Sequence, residues 1–280
     1  MVAPFFKIII HKEDEKNDMF GLCAGFENRC WRKEQLVNHL INYIPEFALP
    51  YSEFSAIDGN NMIRMVKNAV ENIYKSEKYK NRGEFGELML HSIIREVCQT
   101  IPAISKIYYK DGANETVKGF DAVHVVDKDG ELELWLGEVK FYKEINSAIR
   151  DVVEEIFDHI KTDYLRGEFL AITNKIDDNW PFSEKLKRLI DPNVSLDEIF
   201  DRACIPVLLT YDSSVLGKHE KHTEEYVKEI TNEFESLYAK FAEKVSDRVP
   251  LTIHLFLLPM KTKEELVECF DKKLKVWQQL

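Results

Sequence analysis

Asp129-Gly130 constrains this chain more tightly than any other pair of residues. It stands between GFDAVHVVDK and ELELWLGEVKFY, and an Asp-Gly pair flanked by such runs predicts a two-residue β-hairpin turn. Lys128 then faces Glu131, and counting outward along the two strands brings Asp121 opposite Glu138. Strand side chains alternate between faces, so Glu138 and Lys140 project from one face, which also carries Leu132, Leu134 and Leu136. Two carboxylates and an ammonium group therefore converge at the end of an apolar strand, where charge is costly unless it is paired or holds a metal.

The elements around the hairpin follow from spacing. GEFGELMLHSIIREV, from Gly83, has the period of a helix packed through Phe85, Leu88, Ile94 and Val97, and Pro102 stops it. A strand is expected at 104–109, then the hairpin from Phe120 to Phe141. A helix from about Ile145 to Leu165 follows, with Ile149, Val152, Ile156 and Ile160 as its stripe. Gly167 is expected to end that helix, and Phe169–Thr173 reads as a short strand. The predicted core is thus α/β, in the order helix, three strands, helix, strand.

Before it, a strand at Phe5–Ile10, an apolar stretch near Phe20–Phe26 and helices at Arg32–Tyr43 and Asn60–Tyr74 form an accessory region, with Pro45 and Pro50 as punctuation. After it come a short helix at Leu196–Arg202, a strand at Ile205–Thr210 and a long helix striped by Tyr226, Ile230, Phe234, Leu237, Phe241 and Val245. A buried strand is expected at Leu251–Leu258, between Pro250 and Pro259, and then a closing helix displaying Leu266, Phe270, Leu274 and Trp277. The expected regions are 1–75, 76–175 and 176–280, N- and C-terminal α/β elaborations around the core, with no low-complexity linker between them.

At 280 residues and 45% hydrophobic, the chain can bury a sizeable core. No apolar run approaches the ~20 residues of a membrane span, and Met1–Ile10 leads into HKEDEK rather than a cleavage site, so the expected location is cytoplasmic, with no membrane partner. The five cysteines are scattered without zinc-site spacing and are expected to be reduced structural thiols. A net charge of −11 argues against unaided binding of nucleic acid, which relies on neutralising phosphates, and makes a DNA-handling partner plausible. Lys75, Lys78, Lys80 and Arg82 form a local basic run, read as a solvated helix end or a phosphate contact.

Paired carboxylates beside a lysine suit phosphodiester hydrolysis. A hard cation polarises the phosphate and activates water, and Mg²⁺ takes one or two carboxylates while keeping several waters. Asp121 and Glu138 would be the ligands. Lys140 would hold or deprotonate the attacking water, or stabilise charge on the phosphorane. The preceding helix offers a third acid, Glu87 ahead of Glu84, because Gly86 permits close approach to the sheet. Glu-x-Lys alone is a common triplet in a chain that is 31% charged, and the plain alternative is a strand-end Glu138 paired with Lys140 or solvated. His91 shares the face of Glu87 and reads either as a hydrogen-bonded, half-buried histidine or as a contact to the cluster. His219 and His222 read as a solvated turn, and Asp127 and Asp129 as part of the hairpin.

Glu87, Asp121 and Glu138-x-Lys140, on helix, strand and strand, resemble the PD-(D/E)XK nuclease superfamily, with Phe120 where many members have proline. Across most of the chain, RGEFGELMLHSIIREV, GFDAVHVV, LWLGEVKFY, SLDEIFDRACIPVLLTYDS and IHLFLLPM resemble the HamA family, the nuclease subunits of Hachiman anti-phage defence. The resemblance implies a Mg²⁺-dependent deoxyribonuclease (Mn²⁺ being the alternative metal), restrained by a helicase partner of the HamB type and degrading DNA with little sequence preference on release. The competing expectation is a catalytically silent adaptor that keeps the nuclease fold to bind and regulate a helicase.

Overall fold

A computed structural model describes residues 3–14, 16–73, 83–105, 119–245 and 249–279. Its centre is one seven-stranded mixed sheet. The chain begins with β1 (Lys7–Glu13) and β2 (Asn17–Cys23), a small hairpin of β3 (Phe26–Glu27) and β4 (Cys30–Trp31), and helices α1 (Lys33–Ala48), α2 (Tyr51–Phe54), α3 (Met62–Ile73) and α4 (Glu84–Val97). Strands β5 (Ile101–Ser105), β6 (Ala122–Lys128) and β7 (Glu131–Phe141) follow, then α5 (Ile145–His159), α6 (Thr162–Lys175), α7 (Ser183–Leu189) and α8 (Leu196–Phe200). The rest is β8 (Ala203–Asp212), α9 (Ser214–Lys218), α10 (Glu224–Val245), β9 (Thr252–Met260) and α11 (Lys263–Gln278).

The strand order is β1-β2-β9-β8-β7-β6-β5. The central four, β2, β9, β8 and β7, run parallel, while β1, β6 and β5 are antiparallel to their neighbours. Parallel strands covered on both faces read as continuous apolar runs, and ACIPVLLTYD in β8 is buried in every residue but the last. Strands from all three regions of the chain enter this one sheet. The hairpin pairs Lys128 with Glu131 and Ala122 with Gly137, and Asp129 (φ 54°) and Gly130 (φ 91°) both adopt the positive φ of a type I′ turn.

The two faces can be assigned from close contacts. A Cβ on Gly86 of α4 would lie 2.9 Å from Phe141 Cβ and 3.1 Å from Val139 Cγ2, so α4 covers the odd-numbered face of β7. Phe85 of α4 packs on Phe270 of α11, ring centroids 4.1 Å apart, and α1 packs against α3, α4 and α11 on that side. Helix α5 covers the even-numbered face through the contacts described below. Helix α10 packs against α5 and sets Phe234 against Gly21 of β2, where a Cβ would be 2.3 Å from the ring.

Several expectations need correction. Phe169–Thr173 is not a strand but part of α6. Leu165, Phe169 and Ile172 are buried while Leu170 is 60% exposed, which is helical and not alternating periodicity. A Cβ on Gly167 would meet nothing within 4 Å, so the glycine is tolerated in mid-helix. The expected single helix at 145–165 breaks after His159, and the strand beside β7 is β8, reached only after α6, α7 and α8. Pro45 lies inside α1, whose ladder continues through Leu49 N–H to Pro45 C=O at 3.1 Å. Pro259 lies inside β9, paired with Tyr211. The third strand starts earlier than expected, at Ile101. Pro102 sits in it without penalty because β5 is an edge strand. Residues 106–109 and the basic run Lys75–Arg82 lie outside the described residues. All five cysteines are free thiols, and among the described residues no helix is long and apolar enough to cross a membrane.

Candidate active site

The paired register of β6 and β7 ends at Ala122–Gly137. Asp121 N–H donates to Gly137 C=O at 2.8 Å, and Asp121 Oδ2 accepts from Val139 N–H at 2.8 Å. The Asp121 side chain is thereby locked across the strand carrying Glu138 and Lys140. Asp121, Glu138 and Lys140 are 7%, 1% and 8% exposed, an unusual depth for three ionisable groups.

Two residues of α5 meet them. Glu138 Oε1 lies 2.5 Å from His159 Nδ1, and Lys140 Nζ forms an ion pair with Glu155. Burial pushes the Glu138 carboxyl up to about 7, with the Asp121 and Glu155 charges acting in the same direction against His159. Burial would lower His159, but the bond to Glu138 and the surrounding carboxylates outweigh it and raise the imidazole. Tyr164 of α6 stacks on His159, centroids 4.3 Å apart at 12°, and Phe120 meets the same imidazole edge-on at 5.2 Å. The Tyr164 hydroxyl is buried and makes no hydrogen bond among the described residues. Burial, then the charges of Glu168, Glu138, Glu155 and Asp121, push its phenol upward, so it remains a proton donor.

Of the residues singled out in the sequence, Asp121, Glu138 and Lys140 come together on the α5 side of the sheet. Glu87 is buried on α4, next to Gly86 and on the opposite side of β7; Glu84 is half-buried one turn earlier. The contacts described above do not run through either residue. His91 belongs to a different network. Its Nε2 lies 3.1 Å from Glu46 Oε2, its Nδ1 lies 3.1 Å from His124 Nε2, and His124 Nδ1 lies 2.8 Å from Thr100 Oγ1. Arg95 grips both oxygens of Glu46 at 2.9 and 3.0 Å. Burial would raise Glu46, yet His91 and Arg95 hold its carboxyl down at about 2. The order of donors is then determined: Thr100 O–H to His124, His124 Nε2–H to His91, His91 Nε2–H to Glu46, with both imidazoles neutral. Asp127 accepts from Gly130 N–H at 2.7 Å and belongs to the hairpin. His219 is less solvated than expected, since it bonds Glu229 at 3.3 Å and packs on Tyr226.

Glu155, His159 and Tyr164 escaped the reading of the sequence. The available signal was Glu155 and His159 at i, i+4 beside the stripe Val152, Ile156, which places two polar groups at the margin of the buried face.

Among the described residues, no group of three or more His, Cys, Asp or Glu side chains is arranged to hold a metal ion. The donor chemistry nonetheless fits a hard cation. Two carboxylates meet across a strand pair, and their mutual repulsion helps to raise Glu138, a cost that a divalent ion between them would relieve.

The fold and this cluster define a three-layer α/β protein with a buried acid-and-lysine centre at the end of two antiparallel strands. Residues 3–274 match the profile of the HamA family, and the chain belongs to that family. It is also similar to anti-bacteriophage protein A of Escherichia coli (strain K12), 25% identical over 254 residues, which cover 88% of this chain and 46% of that protein. The chain thus spans about half the length of that curated relative.

Proposed function

We propose that this chain is a Mg²⁺-dependent deoxyribonuclease of the PD-(D/E)XK type, the effector of a bacterial anti-phage system, held in check by a helicase partner and degrading DNA on release. The observation that carries the reading is the Asp121 carboxylate bonded to Val139 N–H beside Glu138, with Lys140 two residues on from Glu138 and all three buried. The order α4, β5, β6, β7, α5, with β8 joining beside β7 after α6, α7 and α8, supports a PD-(D/E)XK core, and the name of the anti-bacteriophage relative supports the defence role. A net charge of −11 suits a subunit to which a partner delivers DNA.

Asp121 and Glu138 would hold the ion, for which Mn²⁺ could substitute. When bound, Mg²⁺ would polarise the scissile phosphate and favour attack by water. Val139 N–H fixes the Asp121 carboxylate and His159 fixes that of Glu138, so neither needs to reorganise as charge develops. Lys140 Nζ, aligned by the β7 pleat with Glu138, would orient the attacking water or neutralise charge on a non-bridging phosphate oxygen. Glu87 is the candidate third acid, reaching the cluster from α4 only around the strand end.

One observation favours the adaptor reading. Glu138 is satisfied by His159 and Lys140 by Glu155, so the cluster is internally paired without a metal. Cleavage of supercoiled and linear DNA by the purified chain, with and without its helicase partner, in Mg²⁺ and in EDTA, separates the two. Metal-dependent cutting that disappears in a Glu138→Ala, Lys140→Ala double variant establishes the nuclease. If no combination cuts, or the variant cuts equally, the adaptor reading stands.

A further inference from the structure

Glu138 and Lys140 are two residues apart on β7, and their partners His159 and Glu155 are four apart on α5. Two residues of strand rise ~6.6 Å and four of helix rise ~6 Å, so one face of α5 matches the pleat of β7 in pitch. Each functional side chain of the strand therefore meets one side chain of the helix. The two contacts differ in their surroundings. His159 and Glu138 side chains are 13% and 2% exposed, whereas the Glu155 side chain is 42% exposed against 9% for Lys140. Glu155 thus stands where the cluster opens to solvent, with its carboxylate on the lysine.

A lysine ammonium is a point charge on a flexible four-carbon stem, and the strand alone does not determine where Nζ lies. Glu155 is the half-exposed member of the pair, so when its charge is removed solvent can take its place on the Lys140 ammonium and the fold depends little on this contact. We infer that Glu155 is a positioning residue. Its carboxylate draws Lys140 Nζ toward the mouth of the site and holds it at a fixed point beside Glu138, where an incoming phosphate would meet it. The inference rests on the nuclease reading for its consequence in turnover, but the placement of Nζ is a property of the metal-free protein.

Two measurements on the full chain test it. In the presence of the helicase partner, Mg²⁺ and linear DNA, Glu155→Gln should lower kcat about 10- to 100-fold, the cost of a misplaced group, with KM and Tm close to wild type. Glu155→Asp, which keeps the charge with a shorter reach, should fall between the two. In metal-free protein, acylation of Lys140 by an amine-reactive reagent, followed by mass spectrometry, should be several-fold faster in Glu155→Gln, because the ammonium is released. Wild-type cleavage with a Glu155→Gln variant that cuts equally or faster overturns the inference and leaves nuclease activity intact. So does an unchanged acylation rate. Absence of cleavage by wild type under every condition removes the nuclease reading instead, while the acylation result still decides whether Glu155 holds the lysine.

Discussion

Glu138 Oε1 and His159 Nδ1 lie 2.5 Å apart, joining the strand of the Glu-x-Lys motif to the last turn of the helix that covers it. Both groups bind protons more tightly in the folded chain than they would in water. The pair therefore couples the stability of the fold to pH and to any cation that competes for the same carboxylate.

The pH dependence has a definite sign. Glu138 titrates near 7 when folded and at 4.5 as an ordinary glutamate, so its contribution to stability is complete below 4.5 and is lost as pH rises through 7. His159 is raised too and acts in the same direction. Thermal melts should show Tm falling from about pH 5 to about pH 8, for a loss on the order of 3 kcal/mol. Glu138→Gln should flatten that slope, and an equally steep slope in the variant would assign the effect to other groups.

Divalent ions should reverse the loss. If Asp121 and Glu138 take Mg²⁺ together, Mg²⁺ at a hundredfold excess over Kd should stabilise the fold by roughly 3 kcal/mol, and a given Mg²⁺ concentration should raise Tm more at about pH 8 than at about pH 5.5. Asp121→Asn should abolish the increment. Equal stabilisation of wild type and Asp121→Asn would place the ion elsewhere.

Gly86 sets the distance between α4 and β7. Alanine normally improves a helix interior by about 1 kcal/mol over glycine. Here the new Cβ would lie 2.9 Å from Phe141 Cβ, and overpacking should prevail. Gly86→Ala is expected to destabilise by about 1–3 kcal/mol in chemical denaturation. A variant more stable than wild type would show that the helix can shift outward freely.

Glu46 is held ionised by His91 and Arg95, so its contribution is present above its ordinary value of 4.5 and is lost as pH falls toward 2. Glu46→Ala should cost about 2 kcal/mol or more at neutral pH, since His91 and Arg95 lose their acceptor, and it should blunt acid unfolding. Differential scanning calorimetry between about pH 3 and about pH 7 measures both.

Much of the site could be read along the chain. Asp129-Gly130 carries its own backbone requirement, positive φ at two successive residues, and so specifies the turn and the register as far as Ala122–Gly137; one residue on, Asp121 bonds Gly137 C=O and Val139 N–H on either side of Glu138. Gly86 was legible for the same kind of reason, since a missing side chain at a helix start beside apolar residues implies close packing. Phe169–Thr173 was misread because four apolar residues in five satisfy a strand as well as a helix. The flanking Leu165 and the exposed Leu170 decide in favour of helix only once the core direction is known.

The sequence by itself therefore determined the local relations: the hairpin, the shared face of Glu138 and Lys140, and the stripes of α10 and α11, all set by backbone geometry and the periods of two and 3.6 residues. Only the tertiary structure decided which elements lie across from them. His159 and Glu155 reach β7 because α5 folds back over the sheet, β8 takes its place beside β7 after four intervening helices, and His91 turns toward Glu46 and His124 because α4 lies on the other face. Such pairings depend on which apolar surfaces bury one another, a property of the whole core that no single stretch of residues contains.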